Sequence, residues 1–119
     1  MDARVQRTID MMHRRVTDQV SIARLSAEVG LSPGRLRHLF RQETGQSPMR
    51  YFRYLRIQRA EELLRNSFLS IKEVAFRSGA RDVSHFVRDF KKQYGITPSD
   101  FRIKVQQPSQ YVCTEKVVK

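Results

Sequence analysis

The sequence predicts an all-α protein built from two similar helical lobes, and three observations support this prediction. Apolar residues recur every three or four positions along most of the chain, which is the period of an amphipathic helix. Most of these stretches begin at Ser, Thr or Asp and several end at Gly, as helices commonly do. A pattern of about 50 residues also occurs twice, which indicates an internal repeat.

Capping residues place seven helices. Asp2 can cap the first, and Ser32-Pro33 begins the third with a capping residue followed by proline at the first helical position. Ser47-Pro48 begins the fourth in the same way, and Ser70 has capping-box spacing to Glu73 at the start of the fifth. The predicted helices cover about 2–16, 33–44, 47–66 and 83–94, and the other three lie within 21–30, 70–79 and 97–105, start and stop residues included.

Apolar stripes give the predicted core. In the sixth helix the stripe is Val83, Phe86 and Phe90, with Tyr94 continuing it. The long fourth helix has a buried stripe and an arginine row on its other faces. We expect this row to be partly exposed and partly packed, with arginine stems covering apolar side chains. The row consists of Arg50, Arg53, Arg56, Arg59 and Arg65.

The repeat has a mechanical interpretation. Each copy contains a helix, a glycine turn, a second helix, another glycine and a Ser/Thr-Pro pair, and two helices joined by such a turn form a helix-turn-helix motif. The first helix needs a small residue where the second crosses it, and Ser26 and Ala75 lie four residues before the turn glycines. The matched pairs are Ser21-Ile22 with Ser70-Ile71, Gly30 with Gly79, Leu36 with Phe86, Phe40 with Phe90, Gly45 with Gly95, and Ser47-Pro48 with Thr97-Pro98.

The charge balance points to a polyanionic partner. The chain has 23 Lys and Arg against 12 Asp and Glu, a formal net charge of +11. Such a surplus attracts phosphates through counterion release. A basic surface that serves only solubility is the alternative.

Other features narrow the class of protein. Cys113 is the only cysteine, so the chain has no intrachain disulfide and no cysteine zinc cluster. His13, His38 and His85 lack metal-ligand spacing, and catalytic or phosphate-binding motifs are missing, so we expect no cofactor, no metal and no enzyme. The sequence contains no apolar run long enough for a membrane helix and no secretory signal, so we expect a cytoplasmic protein without membrane partners.

The chain resembles the AraC/XylS family of bacterial transcription regulators over about residues 5–105. In combination, the second-copy motifs are highly specific. The matching stretches are 21–30 (SIARLSAEVG), 31–40 (LSPGRLRHLF) and 43–45 (ETG) in the first copy, and 71–79 (IKEVAFRSG), 84–95 (SHFVRDFKKQYG) and 97–98 (TP) in the second.

The resemblance implies a seven-helix bipartite module. Two homeodomain-like helix-turn-helix subdomains, at 1–46 and 67–105, would be joined by a linker helix at 47–66. Their recognition helices would enter successive major grooves of double-stranded DNA, about 34 Å apart. Residues 106–119 have no clear helical period and contain Pro108, which predicts a loose tail. Family members are mostly activators that contact RNA polymerase, and many carry a separate ligand-sensing or dimerisation domain.

Two positions depart from the family pattern. Ala80 follows Gly79 where Phe is common, which weakens one expected packing contact. His38 stands where Arg is common in the first recognition helix, which leaves the contact at that position open.

The outward positions of the two recognition helices are the predicted DNA-contacting residues. Arg37 and Arg88 match family positions that contact bases or phosphates, and arginine pairs bidentately with guanine. Val87 could pack on a thymine methyl, and Lys91 and Lys92 suit phosphates. A plain solvated surface is the alternative for the arginines of the first helix, for the two lysines and for His85. The full set is Gly34, Arg35, Arg37, His38 and Arg41 in the first helix, and Ser84, His85, Val87, Arg88, Lys91 and Lys92 in the second.

Helix starts provide further candidate phosphate contacts. Free N–H groups and the helix dipole favour anions there, at Ser47, Ser70 and Thr97, although each can also be a plain cap. These features together predict a sequence-specific DNA-binding transcription regulator. The copies present different outward residues, so we expect an asymmetric site of about 20 base pairs. The alternatives are a nonspecific or architectural nucleic-acid-binding protein and a protein-interaction adaptor.

Overall fold

The structure, a computed structural model, describes residues 1–106. Within this range it contains seven α-helices and no strand, as predicted, and none of the helices is long and apolar enough to cross a membrane. Cys113 and the tail predicted from residue 106 lie outside the described residues, except for Gln106, which is helical. The helices are α1 (Ala3–Arg14), α2 (Ile22–Glu28), α3 (Pro33–Thr44), α4 (Pro48–Asn66), α5 (Ile71–Arg77), α6 (Val83–Tyr94) and α7 (Pro98–Gln106).

The predicted helix starts are confirmed by side-chain caps. Each capping oxygen accepts a hydrogen bond from a backbone N–H in the first turn, which satisfies one of the donors that a helix start leaves free. The bonds run from the Arg4 N–H to Asp2 at 2.8 Å, from Arg24 to Ser21 at 3.2 Å, from Arg35 to Ser32 at 3.2 Å, from Glu73 to Ser70 at 3.0 Å and from Ser84 to Asp82 at 2.7 Å.

Two details of the predicted pattern are wrong. Helix α1 ends at Arg14 rather than near residue 16, although Val16 still packs half-buried against the core. Val83, predicted in the apolar stripe of α6, is 38% exposed. It is the first residue of the helix, where the chain has just left the turn, and burial begins one turn later at Phe86.

The chain forms two compact units, and the first is Met1–Arg59. Its core is built from α1, α2, α3 and the first part of α4. The rings of Phe40 and Tyr51 meet edge-on, with centroids 5.4 Å apart. The buried members of this core are Val5, Ile9, Met11, Met12, Leu25, Val29, Leu36, Phe40, Phe52 and Leu55.

The second unit begins at Ala60 and contains the last part of α4 with α5, α6 and α7. Phe90 lies at the centre of an aromatic cluster, with its ring centroid 5.4 Å from Phe101 and 4.8 Å from Tyr94. Phe90 and Phe101 stand in the same repeat positions as Phe40 and Tyr51 and meet in the same edge-on manner. Each unit therefore has an edge-on aromatic pair at equivalent positions of the repeat.

The turn between the first two helices of each repeat is also the same. The N–H of Leu31 donates to the Ser26 carbonyl at 2.9 Å, and the N–H of Gly30 donates to the Ala27 carbonyl at 3.2 Å. These two bonds form a Schellman motif, which needs a left-handed residue, and Gly30 has a φ of 75°. Ser26 is 1% exposed, in keeping with its predicted crossing position.

In the second unit the corresponding bonds join Ala80 to Ala75 at 3.0 Å and Gly79 to Phe76 at 3.1 Å. Gly79 has a φ of 90°, and Ala75 is 2% exposed. The turn chemistry predicted from the glycines is therefore present in both repeats. Its effect is to fix the direction in which α3 and α6 leave the preceding helix.

Two glycines of the first unit, one in the turn and one in helix α3, allow a matched pair of substitutions. We expect Gly30→Ala to lower the free energy of unfolding by about 1–2 kcal/mol, because a Cβ is strained at positive φ. A Cβ at Gly30 would meet nothing within 4 Å, so backbone strain is the whole cause. A Cβ at Gly34 would also meet nothing within 4 Å, but Gly34 lies inside a helix. We therefore expect Gly34→Ala to raise the free energy of unfolding by up to about 1 kcal/mol. Urea denaturation followed by circular dichroism measures both, and equal effects would contradict the assignment.

Candidate nucleic-acid interface

Helix α3 separates a buried side from an exposed side. Leu36 and Phe40 are fully buried in the first core, which orients the helix. The Ser32 cap and Pro33 fix where it begins. All the residues of α3 that were predicted to contact DNA lie on its exposed side: Gly34, Arg35, Arg37, His38 and Arg41.

Helix α6 has the same arrangement in the second unit. Phe86 and Phe90 anchor it in the core, and Asp82 caps its start. Val87, which was predicted to point outward, is half-buried at the edge of the exposed side. The other predicted contacts are exposed: Ser84, His85, Arg88, Lys91 and Lys92.

The electrostatic character of the two exposed sides is basic but not identical. Helix α3 contributes three arginines and α6 contributes one arginine and two lysines, which suits phosphate attraction at both helices. A carboxylate is present at the start of α6. The backbone N–H of Ser84 donates to Asp82 and holds the pKa of that carboxyl below its ordinary value, and His85 beside it acts in the same direction. The Nδ1 atom of His85 lies 3.4 Å from the Asp82 carboxylate.

The three hydroxyls predicted at helix starts all act as caps. Ser47 accepts from the Arg50 N–H at 3.4 Å, and Thr97 accepts from the Asp100 N–H at 3.2 Å. Ser70 caps α5, as described above. Their structural role is therefore assigned, while phosphate contact at these positions stays a prediction.

The arginine row of α4 is partly packed, as predicted. The Arg56 guanidinium lies over the Phe52 ring, 4.4 Å from its centroid, and Arg65 lies over Phe101 at 5.2 Å. Arg50, Arg53 and Arg59 are exposed. Arg56 and Arg65 therefore cover buried aromatic rings and contribute to the packing of their units.

Sequence reasoning missed residues that bind backbone carbonyls, among them one near the end of each repeat. Arg56 donates to the carbonyls of Val16 and Asp18, and Gln106, assigned from the sequence to the tail, donates to the carbonyls of Leu64 and Ser67. Their partners lie about 40 residues away in sequence, so no local pattern could have indicated them. Only their matching places in the two repeats could have drawn attention to them.

Comparison with known proteins assigns the family. A family model described as a helix-turn-helix domain matches residues 25–104. An AraC-type DNA-binding domain of a transcriptional regulator from Chromobacterium violaceum is 28% identical, has a TM-score of 0.82, and is matched over 88% of this chain and 94% of that one. The chain belongs to the AraC/XylS family. The resemblance and the fold class predicted from the sequence are thus confirmed.

Two further relatives of this AraC/XylS chain inform its function. The transcriptional activator RhaS of Klebsiella pneumoniae is 31% identical over 101 residues, which cover 85% of this chain and 36% of RhaS. The chain therefore spans about a third of the length of that relative. The DNA-binding domain of AdpA, a global transcriptional factor, was solved in complex with a target DNA. It is 25% identical, with a TM-score of 0.84, over 90% of this chain and 98% of that one.

The lowered pKa of Asp82 predicts a pH dependence of stability. Because the folded-state pKa lies below the ordinary value of 3.8, the carboxylate stabilises the fold above that value, and this contribution is lost as pH falls through the folded pKa. Asp82→Asn keeps a capping oxygen but cannot titrate. We expect the free energy of unfolding to fall more in the parent than in this variant between about pH 5 and pH 3. Parallel pH profiles would show that Asp82 does not supply this dependence.

Proposed function

We propose that the chain is a sequence-specific double-stranded-DNA-binding transcription regulator, and that the exposed sides of α3 and α6 contact the bases. The observation that carries this proposal is the repeated geometry. Each of these helices follows the same closed turn, is anchored on one side by two buried apolar residues, and leaves basic side chains exposed on the other. A helix presented in this way fits the major groove of DNA.

The exposed residues fall into two proposed roles. Arg37 and Arg88 lie well along the exposed sides of their helices, where a guanidinium can bond two acceptors of guanine. Val87 is half-buried and would reach only a methyl group close to the helix, as on thymine. The remaining positive side chains of these sides would contact phosphates and set the position of the protein on the duplex. These are Arg35, Arg41, Lys91 and Lys92.

The proposal extends to the biological role through the relatives. RhaS is named as a transcriptional activator, which supports an activating role for this chain. We further propose that it contacts RNA polymerase and acts at the nucleoid in the bacterial cytoplasm. RhaS extends well beyond the matched region. We propose that this chain acts together with a separate ligand-sensing or dimerisation domain. Since the relatives are transcription regulators, we propose no catalytic activity.

A selection from randomised duplexes tests the central claim. We expect an enriched motif without palindromic symmetry, about 20 base pairs long, because α3 and α6 present different side chains. Binding to the enriched duplex should weaken with salt by about 0.9 log units per log of salt for each phosphate neutralised. A nonspecific binder would show the salt dependence and enrich no motif. Equal affinity for single strands would also contradict the proposal.

Arginine substitutions test the two helices separately. We expect Arg37→Ala and Arg88→Ala each to weaken binding to the selected duplex by about 1–3 kcal/mol and to relax the base preference at one position. Arg14→Ala in α1 and Lys104→Ala in α7 are controls that remove one exposed positive charge from the same units. They should lower affinity for all duplexes alike and leave the motif unchanged. An unchanged motif in the α3 and α6 variants would rule out base contact.

A further inference from the structure

Arg56 holds the loop that leads into α2. Its Nε donates to the Val16 carbonyl at 3.2 Å, and one terminal nitrogen donates to the Asp18 carbonyl. The flat guanidinium lies over Phe52, so its direction is set by packing as well as by hydrogen bonds. Val16 and Asp18 follow the end of α1, where free carbonyls attract a positive charge. One side chain of α4 therefore fastens the segment between α1 and α2.

Gln106 does the same in the second unit. Its amide nitrogen donates to the Leu64 carbonyl at 3.0 Å and to the Ser67 carbonyl at 2.9 Å. Arg102 adds a bond to the Ser67 carbonyl at 3.4 Å and another to the Leu69 carbonyl. The segment held here lies between α4 and α5, immediately before the second helix pair.

The two arrangements occupy matching places in the repeat. Arg56 and Gln106 each lie nine residues after the capping residue of their helix, Ser47 or Thr97. The carbonyls of Asp18 and Ser67 each lie three residues before the N-cap of the following helix. The bonds to Asp18 and Ser67 thus join equivalent positions in both units, with arginine as the donor in the first and glutamine in the second. Conservation of the bond despite a change of side chain indicates a shared mechanical role.

The held segment is linked to α3 or α6, the helices proposed to contact DNA, through one short helix and one turn. It leads directly into α2 or α5, and the Schellman turn then fixes α3 or α6 relative to that helix. Holding the segment therefore limits the orientations that the exposed side of α3 or α6 can take. Loops are otherwise among the least stable parts of a fold, so a fixed loop matters for presentation.

We propose that Arg56 and Gln106 are equivalent positioning residues for DNA binding. Each fixes the entry to the helix pair of its own unit, and neither contacts DNA. The proposal rests on the function proposed above. We call Arg56 and Gln106 the loop anchors. Without its loop anchor, the helix pair of a unit takes several orientations, and the apparent Kd rises in inverse proportion to the fraction of molecules whose orientation is competent to bind. If that fraction falls to a tenth, the apparent Kd rises about tenfold.

The main experiment compares substitutions of Arg56 in binding to the selected duplex. We expect Arg56→Ala to raise Kd about tenfold and Arg56→Gln to recover part of the loss, because glutamine makes this bond in the second unit. The salt slope should stay at the parent value, whereas loss of a phosphate contact lowers it by about 0.9. Arg53→Ala, with an exposed arginine on the same helix, is the charge-matched control.

Amide hydrogen exchange without DNA provides a second readout. We expect Arg56→Ala to speed exchange across residues 17–31 and to leave α6 unchanged, since α6 belongs to the other unit. Gln106→Ala should have a smaller effect confined to the second unit, because Arg102 still holds Ser67, and Gln106→Ala with Arg102→Ala should enlarge it.

The outcomes are distinct. An unchanged Kd in folded Arg56→Ala, or a loss of affinity with a reduced salt slope, would overturn the positioning role. Unchanged exchange across residues 17–31 would overturn it as well. If the parent chain binds no duplex specifically, the proposed function fails, and the exchange measurement still decides whether the anchors hold the helix pairs.

Discussion

A hydrogen bond from the Leu31 N–H to the Ser26 carbonyl closes the turn of the first unit, and its counterpart from Ala80 to Ala75 closes that of the second. The direction in which α3 and α6 present their exposed sides depends on this bond. It requires a left-handed residue one position earlier, which glycine supplies without strain, and a small residue at the crossing point. With the turn closed, the direction of the second helix follows from that of the first. The caps, the buried aromatic pairs and the loop anchors then keep that direction fixed within each unit.

Much of this architecture could be predicted from the sequence because its determinants are local. Cap residues, prolines and turn glycines act within a few positions, so α3 and α6 were predicted to the residue. Periodicity identified Phe86 and Phe90 as buried but gave Val83 the same status, since a period cannot show where packing begins. The anchors at Arg56 and Gln106 depend on carbonyls far away in sequence and required the structure. Because the apolar stripes identify the buried sides of α3 and α6, the exposure of most candidate DNA-contacting residues could be predicted. Which bases or phosphates these residues contact stays a prediction.

The two units combine a shared framework with different exposed chemistry. The aromatic pair Phe40–Tyr51 is matched by Phe90–Phe101 at the same centroid separation of 5.4 Å. On the opposite sides of the same helices, α3 is rich in arginine, whereas α6 carries serine, histidine, valine, arginine and lysine. Packing in the core constrains the residues on one side of each helix, and the DNA recognition proposed above would constrain those on the other. The repeat is therefore visible in the core positions and nearly absent from the exposed ones.

Because the packed and the exposed residues lie on different sides of one helix, the exposed residues can be substituted separately. Exposed positions outside caps and cores tolerate substitution within about 0.5 kcal/mol, so new side chains on α3 or α6 leave the free energy of unfolding nearly unaltered. The exposed residues of one helix could thus be replaced as a set without redesign of the body beneath. Because each unit fills its own core, such a replacement in one leaves the packing of the other intact. A duplicated scaffold of this kind can acquire a new target one half at a time.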